Sequence, residues 1–316
     1  MPTVLLFGSG QIGVFAARAM GKQGFVVHAA DASPDTAFYA RYGPGTDASP
    51  PVEVDVTQCR DVETFVRSHS TAAAVVFAAG YTGGRATAEP AAARVVAERG
   101  VTNVLATAHA VGIRRAVVVS SLAVYGNVFP ADRLTVAGPA VPNTTYGQIQ
   151  LALENHARAF VGDIDIAILR TAGVFGPKRF GFGSHSARFV ERMLFAAAIG
   201  HPVQIAGRWE DEDDLVYVKD VGEAISKAIS RSESGSLLVN VGLGRVSTLR
   251  EIADAVLALF PKAKITLTPI HGSQAPSRRR PLDITTLLTR LGMKPAFSLS
   301  TAVRDYAVES GLLDAR

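Results

Sequence analysis

The first thirteen residues constrain this chain more than any other stretch. Thr3–Phe7 is a short apolar run of the kind that forms a buried strand, and Gly8-Ser-Gly-Gln-Ile-Gly13 follows it directly. A helical pattern takes over from Val14 to Ala19. A glycine loop in that position has a definite physical use. Gly8 permits the turn, Gly10 lets backbone amides approach a pyrophosphate, and Gly13 lets the helix pack on the strand. The helix N-terminus, with Gln11 and Ile12 in its first turn, then faces the anion. Asp31 ends the next apolar run, Phe25–Ala30. A carboxylate there accepts hydrogen bonds from both ribose hydroxyls and repels a 2′-phosphate. No arginine follows it in Ala32-Ser33-Pro34, so the pattern favours NAD over NADP.

Further strand-like runs lie at Val52–Asp55, Ala73–Ala79, Arg115–Ser120 and Asp165–Arg170. Helical patterns separate them, around Val62–Ser68, over Pro90–Val111 and from Tyr146 onward. Such alternation predicts an α/β fold with a parallel, doubly wound sheet, whose strands end along one ligand-binding edge. The pattern changes after Gly176-Pro177. Lys178–His185 reads as a glycine- and aromatic-rich mobile loop, Ala187–Ile199 as a helix and Val203–Ala206 as a short strand. Leu215–Val218 and Val221–Ile229 read as a return to the sheet. Amphipathic helices at Leu249–Leu259 and Thr285–Leu291 flank Arg278-Arg279-Arg280. The expected division is a dinucleotide-binding domain over 1–173, to which 215–242 returns, and a smaller substrate-binding part over 174–316.

Composition excludes several classes. No apolar run approaches a membrane span, and the N-terminus has no basic n-region of a signal peptide. Cys59 is the only cysteine, which rules out an internal disulfide and fits a reducing cytoplasm. The net charge of +4 is modest, and its arginines are spread along the chain without interleaved aromatics, so nucleic-acid binding is not expected. The seven histidines form no HExxH and no Cys/His pairs, so no metal site is expected. Asn143-Thr144-Thr145 spells a glycosylation sequon that reads as chance without an export signal.

Several ordered blocks carry a resemblance. They are the glycine loop, Asp31, Asp55-Val56, Ala78-Ala79-Gly80, Ser120-Ser121-Leu-Ala-Val-Tyr125-Gly126 and Tyr146. The series continues with Arg170–Pro177, Leu215–Asp220 and Asn240-Val-Gly242. Together they make the chain resemble an extended short-chain dehydrogenase/reductase of the NAD-dependent epimerase/dehydratase family, a Rossmann-type fold. The resemblance implies that Gln11 and Ile12 touch the pyrophosphate, Asp55 and Val56 the adenine, and Ala78, Ala79 and Gly80 the ribose side. It implies Thr171 near the nicotinamide, Ser121 and Tyr146 as the catalytic pair, and a homodimer packed through Pro90–Val111 and the helix opened by Tyr146. Physically, hydride transfer at a carbon needs a group that moves a proton on the attached oxygen, and a phenol held beside a hydroxyl can do so.

Four positions depart from the family pattern. Phe7 stands where the first glycine is expected, and Gln150 stands where a lysine is expected four residues after the tyrosine. That lysine lowers the phenol's pKa and holds the nicotinamide ribose; Gln150 can hydrogen-bond a ribose but carries no charge. Gly173 replaces an asparagine usual in sugar-nucleotide epimerases. Asp213, within Glu210-Asp-Glu-Asp-Asp214, replaces an arginine that binds a diphosphate. Adjacent carboxylates repel a diphosphate unless the acidic run is merely a solvated turn. Arg279 and its neighbours offer anion contacts, or form a solvated basic turn.

An uncharged neighbour leaves Tyr146 near the reference phenol pKa of about 10, a proton donor more than a base. The expected function is therefore NAD(H)-dependent action at a hydroxyl or carbonyl carbon of a small substrate, foremost carbonyl reduction. Two alternatives stay open: non-redox isomerisation, elimination or cyclisation on the same fold, and a catalytically silent dinucleotide-binding module.

Overall fold

The computed structural model describes residues 1–45, 48–126, 132–177, 185–268 and 279–314. The expected loop at Lys178–His185 lies almost wholly outside these residues, as does Arg278. In chain order, β1 (Thr3–Phe7), α1 (Gln11–Lys22), β2 (Val26–Asp31), α2 (Thr36–Tyr42), β3 (Val52–Glu53) and α3 (Cys59–Ser68) come first. They lead to β4 (Ala74–Phe77), α4 (Gly83–Ala88), α5 (Pro90–Val95), α6 (Val101–Ala110), β5 (Arg115–Ser121), α7 (Thr145–Arg158) and β6 (Asp165–Thr171). The predicted helix Pro90–Val111 is interrupted by a π-helical stretch, Val96–Gly100, between α5 and α6.

Beyond β6 come β7 (Gly173–Phe175), α8 (His185–Ala198), β8 (Val203–Ala206), β9 (Glu212–Asp213), β10 (Leu215–Tyr217) and α9 (Val218–Ser230). The remaining elements are β11 (Leu237–Val241), β12 (Ser247–Thr248), α10 (Leu249–Leu257), β13 (Ile265–Thr268), α11 (Thr285–Arg290) and α12 (Leu299–Glu309).

Seven parallel strands form the central sheet in the order β11-β6-β5-β4-β1-β2-β3. Six strand-like runs were legible before β7, and β11 is the seventh. The strand order reverses between β1 and β4, which opens a crevice at their carboxyl ends beside Gly8 and Ala78. Alternation along each strand explains why both faces are covered. Val4 and Leu6 of β1, with Ala74 and Val76 of β4, join the core on one face. Leu5, Phe7, Val75 and Phe77 join the core on the other. A strand buried on both faces reads as a continuous apolar run, which is how these segments appear in the sequence. Phe7 therefore has a packing role, edge-on to Phe65 of α3 at 5.4 Å between ring centroids.

The stretch 215–242 divides its contacts. β11 hydrogen-bonds to β6 in the sheet, whereas β10 pairs with β7 outside it. α9 crosses α1 so closely that a Cβ on Gly222 would lie 2.4 Å from the Phe15 carbonyl oxygen. α12 was not read from the sequence. Tyr217 donates to Asp305 at 2.7 Å, Lys219 pairs with Asp305 and Glu309 at 2.6 Å each, and Arg18 of α1 reaches Glu309 at 2.9 Å. These contacts bolt the last helix to the first.

Candidate active site

The fingerprint loop takes its shape from its glycines. Gly8 has φ +99°, and a Cβ there would sit 2.5 Å from the Ala78 carbonyl carbon. On Gly13 a Cβ would lie 1.8 Å from the Gly8 oxygen. Gly10 differs: nothing stands within 4 Å of its would-be Cβ, and as N-cap of α1 it makes no side-chain cap. Helix N–H groups therefore open onto free space, the arrangement that receives a pyrophosphate. Gln11 reaches across the crevice and donates to the Gly176 carbonyl at 2.9 Å.

Asp31 accepts from the Ser9 amide at 2.7 Å and from the Ser33 amide at 2.9 Å, one per carboxylate oxygen. The carboxylate thus ties the loop to the end of β2 and keeps lone pairs for a ribose. It borders a cavity of about 470 Å³ with Gly8, Asp55, Val56, Ala79 and Gly80. Arg85, Val95 and Val96 line it too and were missed in the sequence. Arg85 stacks on Tyr81, its centre 4.3 Å from the ring centroid, and pairs with Glu89 at 3.1 Å. Val95 and Val96 arrive where α5 gives way to the π-helical turn, a geometry for which the sequence shows no signal.

The chemistry end is built where α7 starts. Thr144 is its N-cap, its hydroxyl accepting from the Gly147 amide at 3.1 Å. A Cβ on Gly147 would be 2.3 Å from the Ala123 carbonyl oxygen, so a glycine there lets the helix start press against the short turn Leu122–Tyr125 that follows β5. That contact brings the Tyr146 phenol and the Ser121 hydroxyl into one cavity wall. Burial pushes the Tyr146 phenol above the ordinary tyrosine range, and the nearby Ser121 hydroxyl lowers it by less. From sequence this phenol was expected near its reference value; desolvation moves it higher. Ser121 also caps the short turn Leu122–Tyr125 by accepting from the Ala123 amide at 3.2 Å. Thr171 faces Ser121 in the β5–β6 register, its hydroxyl donating to the Ser120 carbonyl at 3.2 Å.

Tyr146, Ser121 and Thr171 line a second cavity, of about 440 Å³, with Gln11, Ile12, Gly173, Asp213 and Arg279. Gln150 lies one turn deeper on α7; it is buried and lines neither cavity. One further turn along, Glu154 is wholly buried and accepts from Ser120 at 2.7 Å. Arg170 of β6 grips it with two parallel bonds, of 2.8 and 2.7 Å, and Arg158 adds a third at 2.9 Å. This fork fixes α7 against β5 and β6, beneath Ser121 and Tyr146. The Arg170 guanidinium lies 4.6 Å from the Tyr125 ring, and the Tyr125 hydroxyl donates to Asn240 at 2.7 Å. In the sequence Arg170, Tyr125 and Asn240 stand out as parts of motif blocks, whereas Glu154 was given no site role. Its spacing from Tyr146 and Gln150, four residues per step on one helix face, was the available signal.

The acidic run is not a solvated turn throughout. Asp213 and Asp214 are both buried. Asp213 pairs with Arg279 at 2.9 Å in the cavity wall, so the structure joins two of the three residues that the sequence suggested for the substrate, and Gly173 lines the same cavity. Asp214 accepts from the Leu282 amide at 2.8 Å and the Leu243 amide at 3.3 Å. Burial pushes its carboxyl up to about 7 despite those two donors. Among the described residues no group of three or more His, Cys, Asp or Glu side chains could hold a metal ion, and no helix is long and apolar enough to cross a membrane.

Comparison with known proteins gives a consistent result. The profile of the NAD dependent epimerase/dehydratase family matches residues 4–242. A dTDP-L-rhamnose 4-epimerase of Burkholderia thailandensis is 24% identical over 169 residues, covering 51% of this chain and 45% of that protein. The match therefore spans less than half the relative's length. The crystal structure of Thermus thermophilus UDP-glucose 4-epimerase in complex with NAD superposes with TM-score 0.83 at 23% identity, covering 99% of this chain and 100% of the other. That of Brucella ovis UDP-glucose 4-epimerase, also with NAD, gives 0.84 at 21% identity, covering 98% and 99%. At such identities the likeness establishes the fold.

Proposed function

Because the chain belongs to the NAD-dependent epimerase/dehydratase family, we propose that it inverts or otherwise isomerises a small substrate at a hydroxyl-bearing carbon. Tyr146 and Ser121 handle the proton on the attached oxygen. The observation that carries this reading is that Ser121 and Tyr146 share the wall of a cavity that also meets the fingerprint helix at Gln11 and Ile12. The open space at Gly10 and the lone pairs left on Asp31 fit the family's cofactor. When bound, NAD supplies a hydride acceptor that can return what it takes. Gly8, Gly10 and Gly13 would shape its pyrophosphate site, Asp31 would accept from a ribose, and Asp55 and Val56 would border the adenine.

The chain's own residues carry the proton. In the reductive half, Tyr146 gives its phenolic proton to the substrate oxygen while Ser121 holds that oxygen by a hydrogen bond. In the oxidative half the substrate hydroxyl proton returns to the phenolate. Burial makes the first step easy and the second hard: at pH 7 a phenol of pKa 10 is ionised in only about one molecule in a thousand, and Tyr146 lies higher. Gln150 supplies no charge to offset this.

The sequence alone put net carbonyl reduction first. Family membership favours isomerisation, in which the two halves cancel and the same proton is lent and taken back. Net reduction stays as the second reading, favoured by the protonated state of Tyr146. NAD-loaded protein can be incubated with hydroxy and keto compounds, including sugars and sugar acids, while nicotinamide absorbance and carbon configuration by NMR are followed. Inversion with no net absorbance change is the expected result. Stoichiometric loss of NADH would transfer the case to reduction, and turnover without any hydride exchange would sink both. A homodimer packed through α5, α6 and α7, which the family resemblance implies, belongs to this proposal; a monomer mass by light scattering would remove it.

A further inference from the structure

The cavity beside Asp31 has a wall that the glycine fingerprint does not account for. We propose that Arg85 is a base-stacking residue of the cofactor site: backed by the Tyr81 ring, its guanidinium covers the adenine of the bound dinucleotide. The proposal rests on reading this cavity as the adenosine site.

The first observation is placement. Arg85 and Tyr81 both line the cavity of about 470 Å³, together with Asp31, Asp55 and Val56. The backbone leading into that wall is open: nothing lies within 4 Å of a Cβ built on Gly80, the residue before Tyr81. The second observation is orientation. The guanidinium carbon lies over the Tyr81 ring, 4.3 Å from its centroid. Nε and Nη2 both donate to Glu89, one helical turn on, at 3.1 and 3.5 Å. A ring behind it and a carboxylate along one edge hold the arginine in place before any ligand arrives. Less side-chain freedom is then lost on binding.

Charge decides what this arginine has to offer. Glu89 offsets it directly, and Asp31 and Asp55 add two carboxylates to the same cavity. Arg85 is the only Lys or Arg among the described residues that line it. An arginine so outnumbered makes a poor phosphate clamp, but its flat face remains available, and such faces stack on planar π-systems. Much of the remaining wall is apolar, with Val54, Val56, Ala92, Val95 and Val96. Those side chains suit a flat ring and give a phosphate nothing. Of the cofactor's parts, the adenine matches both surfaces, while the pyrophosphate belongs to the glycine loop.

The test is competitive displacement of NADH from the loaded protein, read by nicotinamide fluorescence, with adenosine and nicotinamide mononucleotide as competing probes. In Arg85→Ala the adenosine affinity should fall by at least about threefold, the scale of a part-exposed stacking contact, with the mononucleotide affinity unchanged. The side chain is 55% exposed, so its removal leaves the core intact. A general loosening of the fold would weaken both probes alike. Arg85→Lys keeps the charge and loses the plane, so it should behave as the alanine variant does. A smaller fall for adenosine, an equal fall for both probes, or wild-type behaviour in Arg85→Lys overturns the assignment. Wild-type protein that retains no NADH would instead overturn the cofactor reading itself, so the two failures are told apart.

Discussion

Replacing Gln150 with lysine puts a cation one helical turn from Tyr146. The side chain sits one helical turn from Tyr146, a spacing that puts Cβ atoms about 5–6 Å apart. A cation about 6 Å from the phenolate, at an effective dielectric near 20, stabilises it by roughly 332/(20 × 6), or about 3 kcal/mol. That corresponds to a fall of about 2 pH units in the phenol's pKa. Position 150 is 8% exposed, so desolvation of the ammonium offsets part of this and the net fall is nearer 1–2. The sign follows from the protonation states. Burial raises Tyr146, so proton donation is available throughout the neutral range and is lost only as pH rises past the phenol's pKa, while proton abstraction appears only above it. Alcohol oxidation by the wild type should climb about tenfold per pH unit through the mildly alkaline range. In Gln150→Lys the same profile should shift to lower pH, with oxidation at pH 7 about 10- to 100-fold faster and reduction little changed. The assay is initial rate against pH in both directions, with absorbance titration of phenolate as a check. Superimposable profiles for the two proteins would refute the argument that Tyr146 works without a cation.

Two further outcomes follow from buried charge. Glu154→Gln leaves Arg170 buried without its carboxylate, at a loss of about 3–5 kcal/mol in urea unfolding; a loss below about 1 kcal/mol would show that the fork under the site is not structural. The Asp214 carboxyl, near 7 when folded, exceeds its unfolded value, so the stability it contributes is complete below about pH 4 and is lost as pH rises through 7. The gap amounts to a loss on the order of 4 kcal/mol. Asp214→Asn cannot ionise, so its stability should fall less between pH 5 and pH 8 than the wild type's, and parallel curves would contradict the burial argument.

The sheet was legible because its inner strands β1, β4, β5 and β6 are buried on both faces and so appear as apolar runs, with the glycine loop fixing where the first helix starts. β11 and α12 were not, for different reasons. Leu237–Val241 looks like any short apolar segment until β6 offers it an edge, and Leu299–Glu309 is anchored by ion pairs to α1 and α9 that no local pattern announces. At the site, residues tied to backbone geometry were readable: Gly8 and Gly13 because a Cβ has no room, and Asp31 because it ends a strand beside them. Long-range electrostatics were not. The acidic run around Asp213 reads equally as a solvated turn or as a ligand site until Arg279, far along the chain, folds against it. Glu154 stayed hidden because its partners, Ser120 and Arg170, come from two separate strands. The raised pKa of Tyr146 is likewise a property of burial, not of its neighbours in sequence.

Tyr146→Phe, compared with the wild type in a single-turnover assay of the NAD-loaded protein, tests the central claim most directly. The phenyl ring keeps the packing and removes only the proton carrier. Turnover should fall at least about 100-fold with NAD affinity preserved. A rate within a few-fold of the wild type would contradict the assignment of Tyr146 as the group that gives and takes the substrate's proton.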